Sequence, residues 1–346
     1  MLKSRWLLAL PLAGALVLPA AAQNTGSKKT TGGTATPTTA GASVDLKWKF
    51  QKGKAFYQEM TTKTDQKIKV MQQDIPQTQT QTFYFSWTPE DVKNNVWTVQ
   101  QKIDGVKMDI SVGGNPITFD STKPAPASPN PLSDFFKQLV GSSFTLTVDP
   151  SKPKPVLSIK GREDFLKKLR AANPQMEPLL NVILSDDSLK QMADPAFSVV
   201  PDHAVKVGDT WKRQATLNMG PIGSYQTTYI YKYEGPDSSN KDLAKISVTT
   251  ELKYSPPAAG GAAAAAALPF KITKADLKSD KSTGTILFDM KKGRVQSSTT
   301  HLELKGTLEI EINGQNTPVT LEQKQDTTVK TSDTPYVTPP AAPAKK

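Results

Sequence analysis

The sequence contains no cysteine and only two histidines among 346 residues. Without cysteine there can be no lipid-modified thiol behind an export signal, no disulfide frame, no thiolate nucleophile and no sulfur-based zinc site. His203 and His301 stand far apart, outside any H-x-x-x-H spacing, so a helical pair of metal-binding imidazoles is also missing. Other signatures are absent too: no G-x-S-x-G, no S-x-x-K in a β-lactamase-like context, no Gly-rich phosphate cradle and no D-x-D-x-D-G calcium loop. A membrane helix needs about 20 consecutive apolar residues, and beyond the N-terminal segment only short apolar runs occur, so no transmembrane segment is expected in the mature chain. These absences point away from an enzyme, and neither a cofactor, a metal nor a catalytic residue is expected. Paired carboxylates are the one acid–base chemistry left open, but Glu303, Glu309 and Glu311 alternate with other residues along a strand pattern. They read as cross-strand charge partners.

At the N-terminus, Lys3 and Arg5 precede an apolar run from Trp6 to Leu18, followed by Ala20-Ala21-Ala22. That is the layout of a signal peptide over residues 1–22, with cleavage between Ala22 and Gln23. The protein is therefore expected to be exported, to the periplasm or beyond, where its stability must come from buried area instead of disulfides. Residues 23–43 are mostly Thr, Gly, Ala and Ser and read as a disordered linker, and the proline-rich tail 334–346 reads likewise. Loss of Lys3 and Arg5 lowers the formal charge of +11 to about +9. Its basic residues are spread singly, as in "LKWKF" and "LELKG", in the manner of a sheet's wet face. That spread argues against nucleic acid, which selects clustered charge, and leaves an anionic envelope surface as a conceivable contact.

Between the ends, residues 44–333 alternate with period two over long stretches, which predicts strands with one face on a core. Phe83, Phe85 and Trp87 share a face, as do Val106, Met108, Ile110 and Val112, and the parity changes at Gly105, where a bulge or turn is expected. In the second half Tyr225, Tyr229, Tyr231 and Tyr233 form a stripe, and Leu302, Leu304, Leu308, Ile310 and Ile312 share another face before a hairpin signal at Asn313-Gly314. The period changes to that of helices in 130–200: "NPLSDFFKQLVG" begins with an N-capping Asn130, and "REDFLKKLRAA", "NPQMEPLLNVIL" and "SDDSLKQMA" follow. The alanine tract within 256–270 reads as a loop insertion. The fold class expected is a β-rich α+β protein, its long antiparallel strands forming curled, half-barrel-like sheets packed on a few central helices.

Two regions, 44–125 and 204–333, flank that helical middle and echo one another. Gly53 and Gly208 each stand three residues before an aromatic, Phe56 and Trp211, and "ITFD" ending at Asp120 matches "ILFD" ending at Asp289. Either the chain carries two related meanders, or long antiparallel strands merely resemble each other in composition.

The segments "LKWKFQKGKAFY", "NPLSDFFKQLVGSSFTLTVD", "VKVGDTWK" and "TGTILFDMKKGRV" together resemble an uncharacterised secreted bacterial family, domain of unknown function 6263. The resemblance runs from Leu46 to about Asp333 and implies export and one intact architecture, with no catalytic residue to transfer. The aromatic stock then suggests a function. If the curled sheet encloses an apolar pocket, Trp87, Trp97, Trp211, Tyr229, Tyr231 and Tyr233 are its candidate lining. The expected role is non-enzymatic binding or carriage of a hydrophobic small molecule or lipid, by fold analogy with lipoprotein-carrier half-barrels. The alternative is that these rings fill a solid core and the protein is an envelope structural or interaction protein contacting a protein or an anionic polymer. No feature specifies an oligomeric state.

Overall fold

A computed structural model of the chain describes residues 43–124, 131–257, 270–312 and 314–338. The expected signal peptide with its Ala22/Gln23 cleavage site, nearly all of the linker, Asn130, Asn313, the alanine tract and the end of the tail lie outside the described residues.

The alternating segments form strands β1 (Phe56–Val70), β2 (Gln73–Lys93), β3 (Val96–Val112) and β4 (Asn115–Asp120). After helix α1 (Pro131–Leu139) come β5 (Ser143–Val148), β6 (Val156–Lys160), α2 (Arg162–Ala172), α3 (Glu177–Ile183) and α4 (Asp186–Phe197). Strands β7 (Thr210–Asn218), β8 (Ser224–Pro236), β9 (Leu243–Ser255), β10 (Lys271–Asp289), β11 (Arg294–Ile312) and β12 (Gln315–Ser332) complete the chain. All strands join one antiparallel 12-stranded sheet in the order β6-β5-β3-β2-β1-β12-β11-β10-β9-β8-β7, with β4 added on β3. First and last strands pair at its centre, from Tyr57 opposite Ser332 to Val70 opposite Val319. Strand β2, at 21 residues and about 3.4 Å per residue, would span roughly 70 Å if straight. Strand twist curls so long a sheet onto itself.

The curl is not closed by strand pairing; helix α4 spans the gap. Its start is fixed by Ser185, whose hydroxyl accepts from the Ser188 N–H. On one side Asp194 Oδ1 accepts the Val156 N–H at 2.8 Å, which satisfies a free donor at the β6 edge. On the other, Gln191 Oε1 accepts the Asn218 N–H at 2.9 Å and the Ser188 hydroxyl donates to the Asn218 carbonyl at 3.1 Å. Both unpaired edges of the sheet are thereby held by one helix, which manages the exposed backbone that an edge strand otherwise presents.

The expected parity change at Gly105 is a bulge. Tyr84 pairs with Gly105 and Phe85 with Ile103, so Asp104 is the extra residue. The segment "LKWKF" differs from expectation. It alternates as predicted, with Leu46 and Phe50 buried and Lys47 and Lys49 exposed, but it forms no ladder. Instead residues 43–51 run as an extended arm across the concave side, tied by a bridge from Val44 to Val205 and by the Lys49 N–H to the Gly293 carbonyl at 3.0 Å. In the tail, Tyr336 packs on Tyr84 with ring centroids 6.3 Å apart.

Candidate functional site

Where the arm crosses the sheet near the end of α4, five rings meet. Phe50 stacks on Phe56 at 5.8 Å, and Phe56 stacks on Trp87 at 6.1 Å. Trp87 meets Phe197 edge-on at 5.8 Å, and Trp48 contacts both Phe197 and Phe50 at 5.7 and 5.4 Å. Alternation places Phe56 and Met60 on the inner face of β1, Phe85 and Trp87 on that of β2 and Val329 on that of β12. The helix contributes Phe197 from its last turn. The Trp48 indole N–H donates to the Phe197 carbonyl at 3.0 Å, which pins the arm to the helix end.

These side chains wall an apolar cavity, completed by Tyr231, Ile286, Arg294 and Ser298 among others. Its free space is about 50 Å³. Since a water needs roughly 10–15 Å³ measured in this way, the space holds a few waters and no long acyl chain. Trp48 and Phe50 of the arm are among the side chains that wall it.

Of the predicted lining, Trp87 and Tyr231 face this cavity. The others stand behind it. Trp97 packs edge-on against Phe50 at 5.5 Å, and Trp211, across the ladder, and Tyr229, two residues along the strand, stack on Tyr231 at 5.5 and 6.1 Å. Trp211 also donates its indole N–H to the Val199 carbonyl at 3.1 Å, which roots it in the core. Tyr233 is fully buried in the same cluster. Burial pushes the Tyr229 phenol up to about 12 and raises Tyr231 further, so both are neutral at physiological pH.

Sequence reasoning missed Phe50, Phe197, Arg294 and Ser298. Arg294 is 7% exposed, lies with its guanidinium 5.3 Å from the Phe56 ring centroid and donates to Asp333 at 2.7 Å. "GR" at 293–294 carried a signal, because a residue directly after a hairpin glycine begins a strand on a defined face.

A second feature was also missed. Next to the cavity, the inner faces of β2, β1 and β12 turn polar: Gln77, Gln66 and Gln323 lie in register, and Gln79, Thr64 and Gln325 form the next row. All six are buried. Both amide atoms of Gln66 and the amide oxygens of Gln79 and Gln323 have no hydrogen-bond partner.

Neither histidine joins these features. His203 contacts Asp202, and His301 lies between Asp326 and Glu303 at 2.8 and 3.4 Å. Among the described residues no group of three or more His, Asp or Glu could hold a metal ion, and no helix is long and apolar enough to cross a membrane.

The model of a protein family described as "Family of unknown function (DUF6263)" matches residues 94–317. No protein of curated function matches the chain. Among solved structures, lipovitellin, described for its lipid–protein interactions, is 14% identical with a TM-score of 0.43, and the similarity covers 85% of this chain. This chain spans only 27% of that protein's length. The COG4313 outer membrane channel of Pseudomonas putida F1 is 7% identical over 83% of this chain and 98% of that one, with a TM-score of 0.24. At such scores neither structure bears on function.

Proposed function

The chain belongs to the family of unknown function DUF6263, and because that membership assigns no activity, we propose from the pocket that this is an exported, non-enzymatic protein that binds or carries an apolar or amphiphilic ligand in the cell envelope. The observation that supports this reading is the ring-walled cavity between the curled sheet and the end of α4. Apolar concave sites with a few placed polar groups are the usual form of a small-molecule site. The arm fits a gating role. It lies outside the sheet ladder, is held by few backbone bonds, and carries the Trp48 and Phe50 rings that a ligand would replace.

A second reading is favoured by the small free volume. If Trp48 and Phe50 are permanent core residues, the protein is an envelope structural or interaction protein and the aromatic cluster serves stability alone. Purification of the protein from its native host, followed by organic extraction and mass spectrometry, separates the two. A recurrent apolar or amphiphilic compound at near-stoichiometric yield is expected for the binder. Clean extracts from independent preparations, together with no uptake of a neutral apolar fluorescent probe, would refute it.

A further inference from the structure

Resting on that pocket reading, in which a ligand replaces the Trp48 and Phe50 rings of the arm, we propose that the ligand is an amphiphile whose head is an anionic oxyacid, a carboxylate or phosphate, bound through Arg294, with its apolar chain in the space those two rings vacate. Arg294 interrupts a wall that is otherwise almost entirely apolar. One of its terminal nitrogens donates to Asp333 Oδ1 at 2.7 Å, but its Nε has no acceptor. The indole Nε1 of Trp87 and the hydroxyl of Ser298, which line the same cavity, are also without partners. These residues are 7%, 2% and 3% exposed. Guanidinium and indole N–H groups can only donate, and the hydroxyl can donate or accept. The unmet capacity of the pocket is therefore for an acceptor.

Charge points the same way. The Asp333 carboxylate is shared by Arg294 and Lys292, each at 2.7 Å. Asp289, opposite Arg294 in the ladder, already accepts the backbone N–H groups of Lys291 and Lys292 at 2.9 and 2.8 Å. Glu59 has its own partner in Lys330 at 3.8 Å. Arg294 and Lys292 thus share the Asp333 carboxylate beside the cavity, the Asp289 carboxylate is engaged by backbone donors, and the Arg294 Nε is left open to an incoming anion. Holding Asp333 alone would not require a buried guanidinium, since Lys292 does so from the surface. Burying a charge is costly unless it is fully paired, so an Arg placed against the cavity gains most from a second anionic partner. A neutral alcohol head offers a weaker acceptor, and a cationic head none.

Calorimetric titration of the mature chain with dodecanoate, dodecyl phosphate and 1-dodecanol, all below micellar concentrations, tests this. One or both anions should bind at least about tenfold more tightly than the alcohol, the scale of a charge-assisted hydrogen bond, and their ranking distinguishes carboxylate from phosphate. In Arg294→Met/Asp333→Asn, which removes the buried guanidinium together with the carboxylate it donates to, the preference should vanish while alcohol binding persists. If near-UV circular dichroism shows that this variant is unfolded, Arg294→Lys takes its place and should lose most of the preference, since it lacks the Nε donor and the planar fork. Equal binding of alcohol and anions by the wild type, or a preference that survives substitution, overturns the anionic head and leaves the pocket standing. No binding of any of the three overturns both.

Discussion

Replacing Gln66 by Met should make the protein more stable, although it removes a polar residue from the centre of the sheet. Gln66 is 3% exposed and neither its amide nitrogen nor its amide oxygen has a partner. An unsatisfied buried polar group costs about 1–3 kcal/mol, and methionine occupies a similar unbranched volume without that cost. Even half the sum for the two atoms predicts a gain of roughly 1–3 kcal/mol, enough to raise the urea midpoint clearly at unchanged slope. Gln58→Met is the matched control on the same strand and face. Its Nε2 donates to Thr331 Oγ1 at 3.3 Å, so the substitution removes a bond and should cost about 0.5–1.5 kcal/mol. Opposite signs for the two variants in equilibrium urea unfolding are the expected result. A loss of stability in Gln66→Met equal to that in Gln58→Met would refute the reasoning, because it would mean that the buried amides are satisfied in solution, by water or by a polar ligand in the band.

Two further outcomes follow from the same structure. Burial raises the Asp194 carboxyl even though it accepts the Val156 N–H; a raised folded value means that stability is lost as pH climbs from the unfolded carboxylate range through the folded pKa. Asp194→Asn should therefore be neutral or stabilising at neutral pH, with a flatter acid profile, whereas Asp194→Ala strands the Val156 donor and should cost about 1–3 kcal/mol by urea unfolding. At the alkaline end, burial pushes Tyr229 up to about 12 from an ordinary value of 10.0, so its contribution is intact below about pH 10 and is lost as pH rises toward 12. Roughly 2–3 kcal/mol should disappear over that window at about 1.36 kcal/mol per unit, and tyrosinate absorbance from the buried rings should appear together with unfolding instead of before it.

The sheet was legible because a strand with one apolar face writes its geometry as period two. The tyrosine stripe of β8 and the parity change that marks the bulge at Asp104 could both be read directly. Reading failed where that signal loses its phase. In "QTQTQT" both phases are polar, so nothing in the alternation says that Gln77, Gln79 and Gln81 point inward; register with β1 decides it. The hairpin at Met71-Gln72 has positive φ at both residues, 49° and 68°, a conformation usually signalled by Asn or Gly, and here by neither. "LKWKF" shows the converse, since an arm lying on an apolar surface alternates just as a strand does. For the pocket, sequence could nominate aromatic residues on inner faces, but the difference between Trp87 at the cavity and Trp97 one ring behind it arises from the curl, which brings β2 and the end of α4 together.

The paired glycines sharpen the relation between the two halves. Gly53 (φ 75°) donates its N–H to the Pro89 carbonyl at 2.7 Å, and Gly208 (φ 94°) donates to the Tyr233 carbonyl at 2.8 Å. Each thus joins the approach to a first strand, β1 or β7, to the far end of the second, β2 or β8. The fourth strands, β4 and β10, end alike: Asp120 Oδ1 accepts the Thr122 N–H and Asp289 Oδ1 the Lys291 N–H, both at 2.9 Å. Shared composition explains alternating strands but does not place the same bonds at corresponding points of β1-β2-β3-β4 and β7-β8-β9-β10, and on these bonds we propose that the halves are two related meanders. The halves part company after those aspartates. The first leaves the sheet toward α1, while the second turns through Gly293 into β11 and so carries Arg294 to the cavity. On this account the guanidinium beside the aromatic wall is a feature of one half only, added where the second meander continues to meet β12 and, through it, β1.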